Sequence, residues 1–201
     1  MFFSFEGIDG SGKSTQAQRL AKAMREMGKD VVEVREPGGT ALGERVRQLL
    51  LDPQATVDPR AELLLFSAAR AQLVAEVIKP ALQRGAVVIA DRFYDSSTAY
   101  QGGGRGVADR QWMDKLHLFA TAGHSPDRTY LLDIPPVVAA SRRSDRVADR
   151  MEQSDGSFYS RVRETYLELA MDPRVMLLDG TQPADAVYRT ILSDARALVL
   201  T

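Results

Sequence analysis

The residues best placed to do chemistry stand near the start of the chain, in the stretch GIDGSGKST over residues 7–15. Its spacing satisfies G-x-x-x-x-G-K-[ST], with an apolar run before it and a helix-periodic segment after it, as this motif requires. Glycines let backbone N–H groups turn inward toward phosphate oxygens, and a helix N-terminus adds its positive end. The motif predicts that the chain binds a nucleoside triphosphate, with Lys13 on the β- and γ-phosphates and Ser14 on Mg²⁺. The candidate ATP-binding residues of this loop are Gly7, Ile8, Asp9, Gly10, Ser11, Gly12, Lys13, Ser14 and Thr15.

The motif leaves the acceptor of the terminal phosphate open among water, a protein side chain and a small molecule. Asp91 ends the apolar run AVVIA and is either a helix cap or the acidic residue that accompanies such loops near the metal. Arg92 follows it and offers a guanidinium to a second phosphate. Asp9 is an acid inside the phosphate loop and would repel the nucleotide unless it points elsewhere. These features favour a phosphorylated small-molecule acceptor over hydrolysis.

Composition sets the boundaries of this interpretation. The chain has 201 residues, of which 44% are hydrophobic and 26% charged, and its formal net charge is -1. These values predict one domain with no general attraction to nucleic acid or anionic membranes. Cysteine is absent, which excludes disulfides and thiolate metal sites. The opening residues lack a basic segment and no apolar run approaches ~18 residues, so we expect a cytoplasmic protein without a signal peptide or membrane partner.

Short apolar runs alternate with segments of helical period along the whole chain. Strands are predicted at residues 2–5, 31–34, 86–90, 130–134 and 175–179. Helices are predicted at 14–27, 41–51, 60–78, 109–121, 135–142, 157–170 and 183–198. This alternation predicts an α/β fold with a doubly wound parallel sheet, in which ligands bind beyond the carboxyl ends of the strands. Segments 7–15, 35–40 and 91–106 all fall at that edge.

Five blocks of sequence carry a specific resemblance: FEGIDGSGKSTQ, REPGGT, LLFSAARAQ, DRFYDSSTAYQGGGRG and DRMEQ, in this order. The chain resembles bacterial thymidylate kinases over essentially its whole length. The resemblance implies a P-loop nucleoside monophosphate kinase-like fold, a five-stranded parallel sheet with helices on both faces. It also implies one domain over residues 1–201 with a lid at about 141–153, a homodimer, and transfer of the γ-phosphoryl of ATP to dTMP with Mg²⁺.

The resemblance also implies roles for single residues. Phe66 would stack on thymine, Arg70 would bind its edge, Arg92 would hold the acceptor phosphate, and Tyr100 would disfavour a 2′-hydroxyl. The candidate substrate-binding residues are Asp9, Glu36, Pro37, Phe66, Arg70, Arg92, Ser97, Tyr100 and Gln101. The residue types alone leave other interpretations open: Phe66 and Tyr100 as core packing, Arg70 as a solvated helix charge, and residues 37–39 as a turn.

The transferred phosphoryl group needs cations more than it needs a base, because a monophosphate acceptor is mostly a dianion at neutral pH. His117 and His124 are therefore expected to be packing or surface residues. Some thymidylate kinases carry an arginine at the position of Gly10, so the charge must come from elsewhere, and the run SRRSDRVADR (141–150) is either the source or a solvated helix face. We expect Arg150 to be catalytic, so that its loss would reduce activity and leave stability nearly unchanged, with Arg142 and Arg146 binding ATP.

The resulting set of candidate catalytic residues is Lys13, Asp91, Arg92 and Arg150, with Ser14 and Asp91 as metal ligands. Two alternatives remain at this point. One is a kinase of the same fold with a different small-molecule acceptor. The other is a nucleotide-binding switch without enzymatic activity. Its sequence would show an added interaction domain or a different residue in place of Lys13, and neither is seen.

Overall fold

The computed structural model describes residues 1–142, 150–151 and 156–200. Five parallel strands form one sheet in the order β2-β3-β1-β4-β5. The strands are β1 (Phe2–Glu6), β2 (Val31–Arg35), β3 (Val87–Asp91), β4 (Arg128–Asp133) and β5 (Val175–Asp179). Over the described ranges the α-helices are α1 (Lys13–Glu26), α2 (Ala41–Leu51), α3 (Pro59–Leu73), α4 (Lys79–Gln83), α5 (Tyr94–Ser97), α6 (Arg110–Ala120), α7 (Pro136–Arg142), α8 (Gly156–Leu169) and α9 (Ala184–Leu200).

The predicted five-stranded sheet is confirmed, and each predicted strand lies within two residues of an observed one. Strand β1 is central and pairs with β3 on one side and β4 on the other, with Phe5 opposite Asp91 and Tyr130. The chain builds β2 and β3 on one side of β1 and then crosses to build β4 and β5 on the other. The order reverses around β1, which places a binding crevice at the carboxyl ends of β1 and its neighbours.

Helices cover both faces of the sheet, as predicted. On one face the apolar stripes of α1 and α9 pack on Phe3 and Phe5 of β1. On the other face, α3 and the residues after it pack on β1 and β3, while α8 packs on β4. The helices on both faces leave β1 and β3 almost entirely buried, whereas the edge strands β2 and β5 are partly exposed.

Two segments depart from the predicted elements. The helix predicted to end at residue 78 continues past Pro80, because Val74–Ile78 forms a π-helical turn in which the N–H of Lys79 bonds to the carbonyl of Val74. The wider turn moves the helix out of the register in which a proline ring clashes with the carbonyl four residues earlier. Residues 91–106 also contain more regular structure than predicted, namely α5 and a π-helical segment Thr98–Gly104.

Glycines allow the π-helical segment Thr98–Gly104 to pack closely against α8. A Cβ atom added to Gly103 would lie 1.9 Å from Thr165 Oγ1, and one added to Gly104 would lie 2.5 Å from a ring carbon of Phe158. In the sequence these glycines resemble loop residues, since glycine disfavours helices. Tertiary packing against α8 outweighs that preference.

His117 is buried behind this segment, which agrees with its expected packing role. Its Nε2 lies 2.9 Å from Thr98 Oγ1 and its ring stacks on Tyr94. Burial, assisted by nearby arginine charges, lowers the pKa of His117 from 6.5 to about 3. The unfolded chain therefore binds one more proton between these pH values, and the histidine costs stability as the pH falls below 6.5.

We expect His117→Gln to remove this acid sensitivity while keeping a side chain that can bond to Thr98. Between pH 7.5 and 4.5 the free energy of unfolding of the unsubstituted protein should fall relative to that of the variant by about 2.5 kcal/mol. Urea unfolding of both proteins across this range measures the difference. A difference that stays constant with pH would contradict a neutral buried histidine.

Candidate active site

A cleft of about 420 Å³ opens at the carboxyl edge of the sheet, where β1, β2 and β3 end. It is lined by residues from all three candidate segments of the sequence and by parts of α2, α3 and α7. Basic side chains outnumber acidic ones in the lining of the cleft. The lining cations are Lys13, Arg35, Arg47, Arg70, Arg92 and Arg142, and the lining acids are Asp9, Glu36 and Asp91.

The phosphate loop joins β1 to α1 with the backbone that its glycines allow. Gly7, Gly10 and Gly12 all have positive φ angles of 90° or more. A Cβ atom on Gly7 would also lie 2.5 Å from the carbonyl oxygen of Leu132, so no other residue fits there. The cleft is lined by Asp9, Gly10, Gly12, Lys13, Ser14 and Thr15, whereas Gly7, Ile8 and Ser11 are buried behind this surface.

A continuous run of contacts extends from the phosphate loop into the cleft, as far as Arg92 and Tyr100. Lys13 Nζ lies 3.6 Å from Asp9 Oδ1, and Arg92 Nη2 donates to the same oxygen at 2.6 Å. The hydroxyl of Tyr100 donates to Asp9 Oδ2 at 2.9 Å. Asp9 thus points toward Arg92 and away from the centre of the loop, which answers why an acid can stand within a phosphate-binding motif.

The charges of Asp9, Lys13 and Arg92 change the pKa values of one another's side chains. Burial alone would raise the pKa of Asp9, but the positive charges of Arg92 and Lys13 outweigh it and hold that pKa well below its usual range. Burial, reinforced by the Arg92 charge, lowers the pKa of Lys13. Asp9 is therefore a carboxylate throughout the neutral range, and it balances part of the positive charge until an anion binds.

Ser14 and Asp91 meet beside the loop as the predicted metal ligands. Ser14 Oγ donates to Asp91 Oδ2 at 2.5 Å, and Asp91 Oδ1 is buried with no hydrogen-bond partner. A hydroxyl and a carboxylate oxygen fit Mg²⁺, which keeps several waters and takes phosphate oxygens as ligands. Over the described residues no group of three or more histidine or acidic side chains could hold a metal alone, so phosphate and water would complete the shell.

The opposite end of the cleft is a pocket built on a buried ion pair. Arg70 donates to Glu36 through Nε and Nη2, with 2.5 Å between Nη2 and Oε2, and Nη2 also donates to Ser97 Oγ at 3.0 Å. Both charged side chains are at least 96% buried, and Arg70 Nη1 is buried without a partner. Phe66 and Pro37 also line this pocket. The pocket therefore combines an aromatic face with an unused guanidinium donor.

Gln101 lies at the same end, although its amide is already engaged. It lines the cleft, and its Nε2 donates to the buried carboxylate of Glu62 at 2.9 Å. Phe66 is half-buried and packs against Val46, Leu50 and Ala69 while lining the cleft, so it serves core and cleft together.

The structure separates the arginines predicted to form a lid. Arg142 lines the cleft and donates to the carbonyls of Gly10 in the phosphate loop and Gly180 after β5, at 3.3 and 3.1 Å. Arg146, and most of the proposed lid, lie outside the described residues. Arg150 does not line the cleft.

Arg150 instead forms a buried ion pair with Glu62. Its Nη2 lies 2.7 Å from Glu62 Oε2, and its Nε donates to the carbonyl of Leu50 at 2.8 Å. The two side chains are 11% and 1% exposed. This placement differs from the prediction of a catalytic arginine with little effect on stability, because Glu62, 88 positions earlier in the chain, becomes its partner only in the folded state.

Several cleft residues were not predicted from the sequence. Arg35 begins the segment 35–40 that was placed at the binding edge, but it was not named as a site residue, although it ends β2 beside Glu36. Arg47, Leu51 and Met151 also line the cleft. Arg47 is on α2 and donates to the carbonyl of Pro37 at 2.9 Å; nothing in its local sequence distinguishes it from a surface arginine.

The fold and cleft together define a P-loop kinase of the nucleoside monophosphate kinase fold, with one phosphate loop and one second pocket rich in cations. The family model for thymidylate kinase matches residues 5–191. This chain belongs to the thymidylate kinase family and is a phosphotransferase.

Individual relatives match along nearly the whole chain. Thymidylate kinases from Thermosipho africanus and Bifidobacterium longum (strain DJO10A) are 48% identical over 194 residues and 49% identical over 204 residues. The alignments cover 96% of both chains in the first case and 98% of both in the second. The crystal structure of thymidylate kinase from Ehrlichia chaffeensis superposes with a TM-score of 0.79 at 35% identity, covering 97% of this chain and 98% of that one.

Within the described ranges, no helix has both the length and the apolar character needed to cross a lipid bilayer.

Proposed function

We propose that this protein transfers the γ-phosphoryl group of ATP to dTMP, producing ADP and dTDP. The observation that carries the proposal is the run of contacts Lys13–Asp9–Arg92–Tyr100, which extends from the phosphate loop into the same cleft that Phe66 and Arg70 line. Two anion-binding groups in one cleft suit two phosphorylated ligands placed end to end. Membership of the thymidylate kinase family supports the same donor and acceptor.

The chain's own residues would hold both reactants in line. The phosphate loop and Lys13 would hold ATP, and Arg92 would hold the acceptor phosphate through its guanidinium. The acceptor is already a dianion near neutral pH, so it needs no general base to become a nucleophile. Catalysis then consists of alignment and of cancelling charge on the transferred group.

Ser14 and Asp91 would hold Mg²⁺ together with the nucleotide phosphates, as the unpartnered Asp91 Oδ1 suggests. The ion would supply positive charge to the bridging phosphate oxygens.

The acceptor pocket has the chemistry to select a pyrimidine base. Phe66 offers a flat face for stacking, and the unpartnered Nη1 of Arg70 offers a donor to a carbonyl oxygen at the edge of the base. Glu36 holds Arg70 in place, which makes that donor rigid. Tyr100, bound to Asp9 and Arg92, would close the sugar side of the pocket against a 2′-hydroxyl.

A coupled assay of ADP formation with MgATP and a panel of dTMP, dUMP, dGMP and AMP tests the proposal. We expect kcat/KM to be highest for dTMP. A strong preference for another monophosphate would favour a different kinase of this fold, and binding of ATP without ADP formation on any acceptor would favour a switch.

The two described lid arginines should behave differently when truncated. Arg142→Ala is expected to raise KM for ATP about tenfold with little change in stability, because its contacts are carbonyl oxygens at the cleft. Arg150→Ala should lower the free energy of unfolding by about 2 kcal/mol, because the buried Glu62 loses its closest charged partner and keeps Arg105, at 3.4 Å, and the amide of Gln101. Thermal unfolding and ATP titrations of both variants measure the two effects. A stable Arg150→Ala protein with strongly reduced kcat would restore Arg150 as a catalytic group.

We further propose that the enzyme is a cytoplasmic homodimer. Exposed apolar side chains occur on α2, α3 and α6, which pack against one another in that order. They are Leu42, Leu49, Leu64, Trp112, Leu118 and Phe119, and Phe119 is 84% exposed. Such side chains suit an interface between two copies. Sedimentation equilibrium should give the mass of two chains, and a single-chain mass at micromolar concentration would contradict the proposal.

A further inference from the structure

A carboxylate is buried directly beneath the end of the phosphate loop. Glu6 is the last residue of β1 and is fully buried, although burial of a carboxylate is costly unless hydrogen bonds compensate for it. Its Oε1 accepts the backbone N–H of Phe93 at 2.7 Å. Its Oε2 accepts the hydroxyls of Ser96 and Tyr166 at 2.6 and 2.8 Å. No part of the mechanism above uses this carboxylate, yet three donors converge on it.

Both hydroxyls continue to the guanidinium of Arg92. Arg92 Nη1 donates to Ser96 Oγ at 2.9 Å and to Tyr166 OH at 3.3 Å. A hydroxyl has one proton to donate and lone pairs to accept with. When both hydroxyls give their protons to Glu6, their lone pairs are left for Arg92 and for the 3.0 Å contact between Ser96 Oγ and Tyr166 OH. The carboxylate thus orients the two hydroxyls so that they accept hydrogen bonds from Arg92.

Arg92 is a residue whose backbone needs such support. Its φ angle is +73°, in the left-handed region that residues other than glycine rarely adopt. The N–H of Arg92 bonds to the carbonyl of Phe5, and the next N–H, that of Phe93, bonds to Glu6. On its other side, Nη2 of Arg92 is held by Asp9. Glu6 therefore holds the peptide group that follows Arg92 and, through the two hydroxyls, contacts the side chain of this arginine.

We propose that Glu6, acting through Ser96 and Tyr166, is a positioning residue that orients the Arg92 guanidinium for the acceptor phosphate. The inference rests on the proposed function, in which Arg92 binds that phosphate. None of the three residues need touch the reacting atoms. Their effect on the reaction passes through the placement of Arg92, so it should appear in acceptor binding and not in binding of ATP.

Tyr166→Phe is the sharpest single test, because it removes one hydroxyl and keeps the ring. Burial, reinforced by the charge of Asp95, raises the pKa of Glu6 to about 7, so the assays should be run at pH 8, where the carboxylate is charged. We expect KM for dTMP to rise about tenfold, while kcat and KM for ATP stay within about twofold. Calorimetric titration of dTMP without ATP should show the same loss of affinity.

Tyr130→Phe is the matched control. Its hydroxyl also donates to a carboxylate, that of the partly buried Asp194 at 2.9 Å, but this pair lies away from the cleft. Both variants lose a tyrosine–carboxylate hydrogen bond, so both should lose some stability. Only Tyr166→Phe should change KM for dTMP. An equal effect of the two variants on KM would show that general destabilisation is responsible, and would overturn the proposal.

A double-substitution cycle with Arg92→Lys decides whether the effect passes through the guanidinium. If it does, Tyr166→Phe should change KM for dTMP by less than twofold in the Arg92→Lys background. Additive effects, or a Tyr166→Phe protein with unchanged KM, would overturn the proposal. Should Glu6→Gln fold, it should reproduce the rise in KM; the tyrosine cycle is decisive even if that variant does not fold. An unsubstituted enzyme that phosphorylates no dTMP would instead refute the proposed function itself.

Discussion

Lys13→Ala is expected to lower kcat about a thousandfold, which corresponds to roughly 4 kcal/mol of transition-state stabilisation. Lys13 is only 6% exposed, lines the cleft, and is the cation that we propose contacts the transferred group. In the folded protein its Nζ is near Asp9, which keeps Arg92 and Tyr100 as partners after the substitution. The fold should therefore survive, so that the loss appears in the chemical step. Single-turnover rates with saturating ATP and dTMP measure it.

Lys22→Ala is the control on the same helix. Lys22 is 80% exposed and makes only a loose contact of 3.9 Å with Glu26, so its removal should change neither kcat nor stability measurably. A Lys13→Ala protein that folds normally and keeps more than a tenth of the original kcat would show that the charge on the γ-phosphate is cancelled by other groups.

Arg92→Ala is expected to raise KM for dTMP at least a hundredfold while changing KM for ATP much less. A charge-assisted contact of a guanidinium with a phosphate is lost, worth about 3 kcal/mol at a partly buried site. Arg92 is 15% exposed at the cleft and is the closest cation to Asp9, so its removal would also leave the negative charge of Asp9 less compensated beside the incoming anion. Repulsion by this carboxylate adds to the loss. Initial rates with each substrate varied in turn separate the two KM values.

Arg128→Ala offers a matched control at the amino ends of the strands, on the side of the sheet away from the cleft. Arg128 begins β4, is 22% exposed and pairs with Asp194 at 3.1 Å, so it resembles Arg92 in burial and pairing but lies far from the loop at the strand ends. It should leave both KM values unchanged. If Arg92→Ala weakened ATP binding more than dTMP binding, the phosphate assigned to Arg92 would be the wrong one.

Much of the fold could be predicted because its signals are local. The apolar runs of β1, β3 and β4 are long enough to show strands covered on both faces, and Gly28 ends α1 with the positive φ angle expected of it. The site was predicted less completely. Lys13 and Ser14 follow from the loop motif, whereas the acceptor residues came from resemblance, since Phe66 and Arg70 alone fit a core stripe and a surface charge equally well.

The sequence by itself determined the phosphate loop, because its shape depends on glycines and neighbours within nine residues, and it determined the family through five blocks in order. Only the tertiary structure decided which charges face the cleft. Arg150 pairs with Glu62, and Glu6 accepts a hydrogen bond from Tyr166, which lies 160 positions later in the chain. The order of the strands and the packing of the helices bring these partners together. A side chain's role depends on such partners, and no local pattern of residues specifies them.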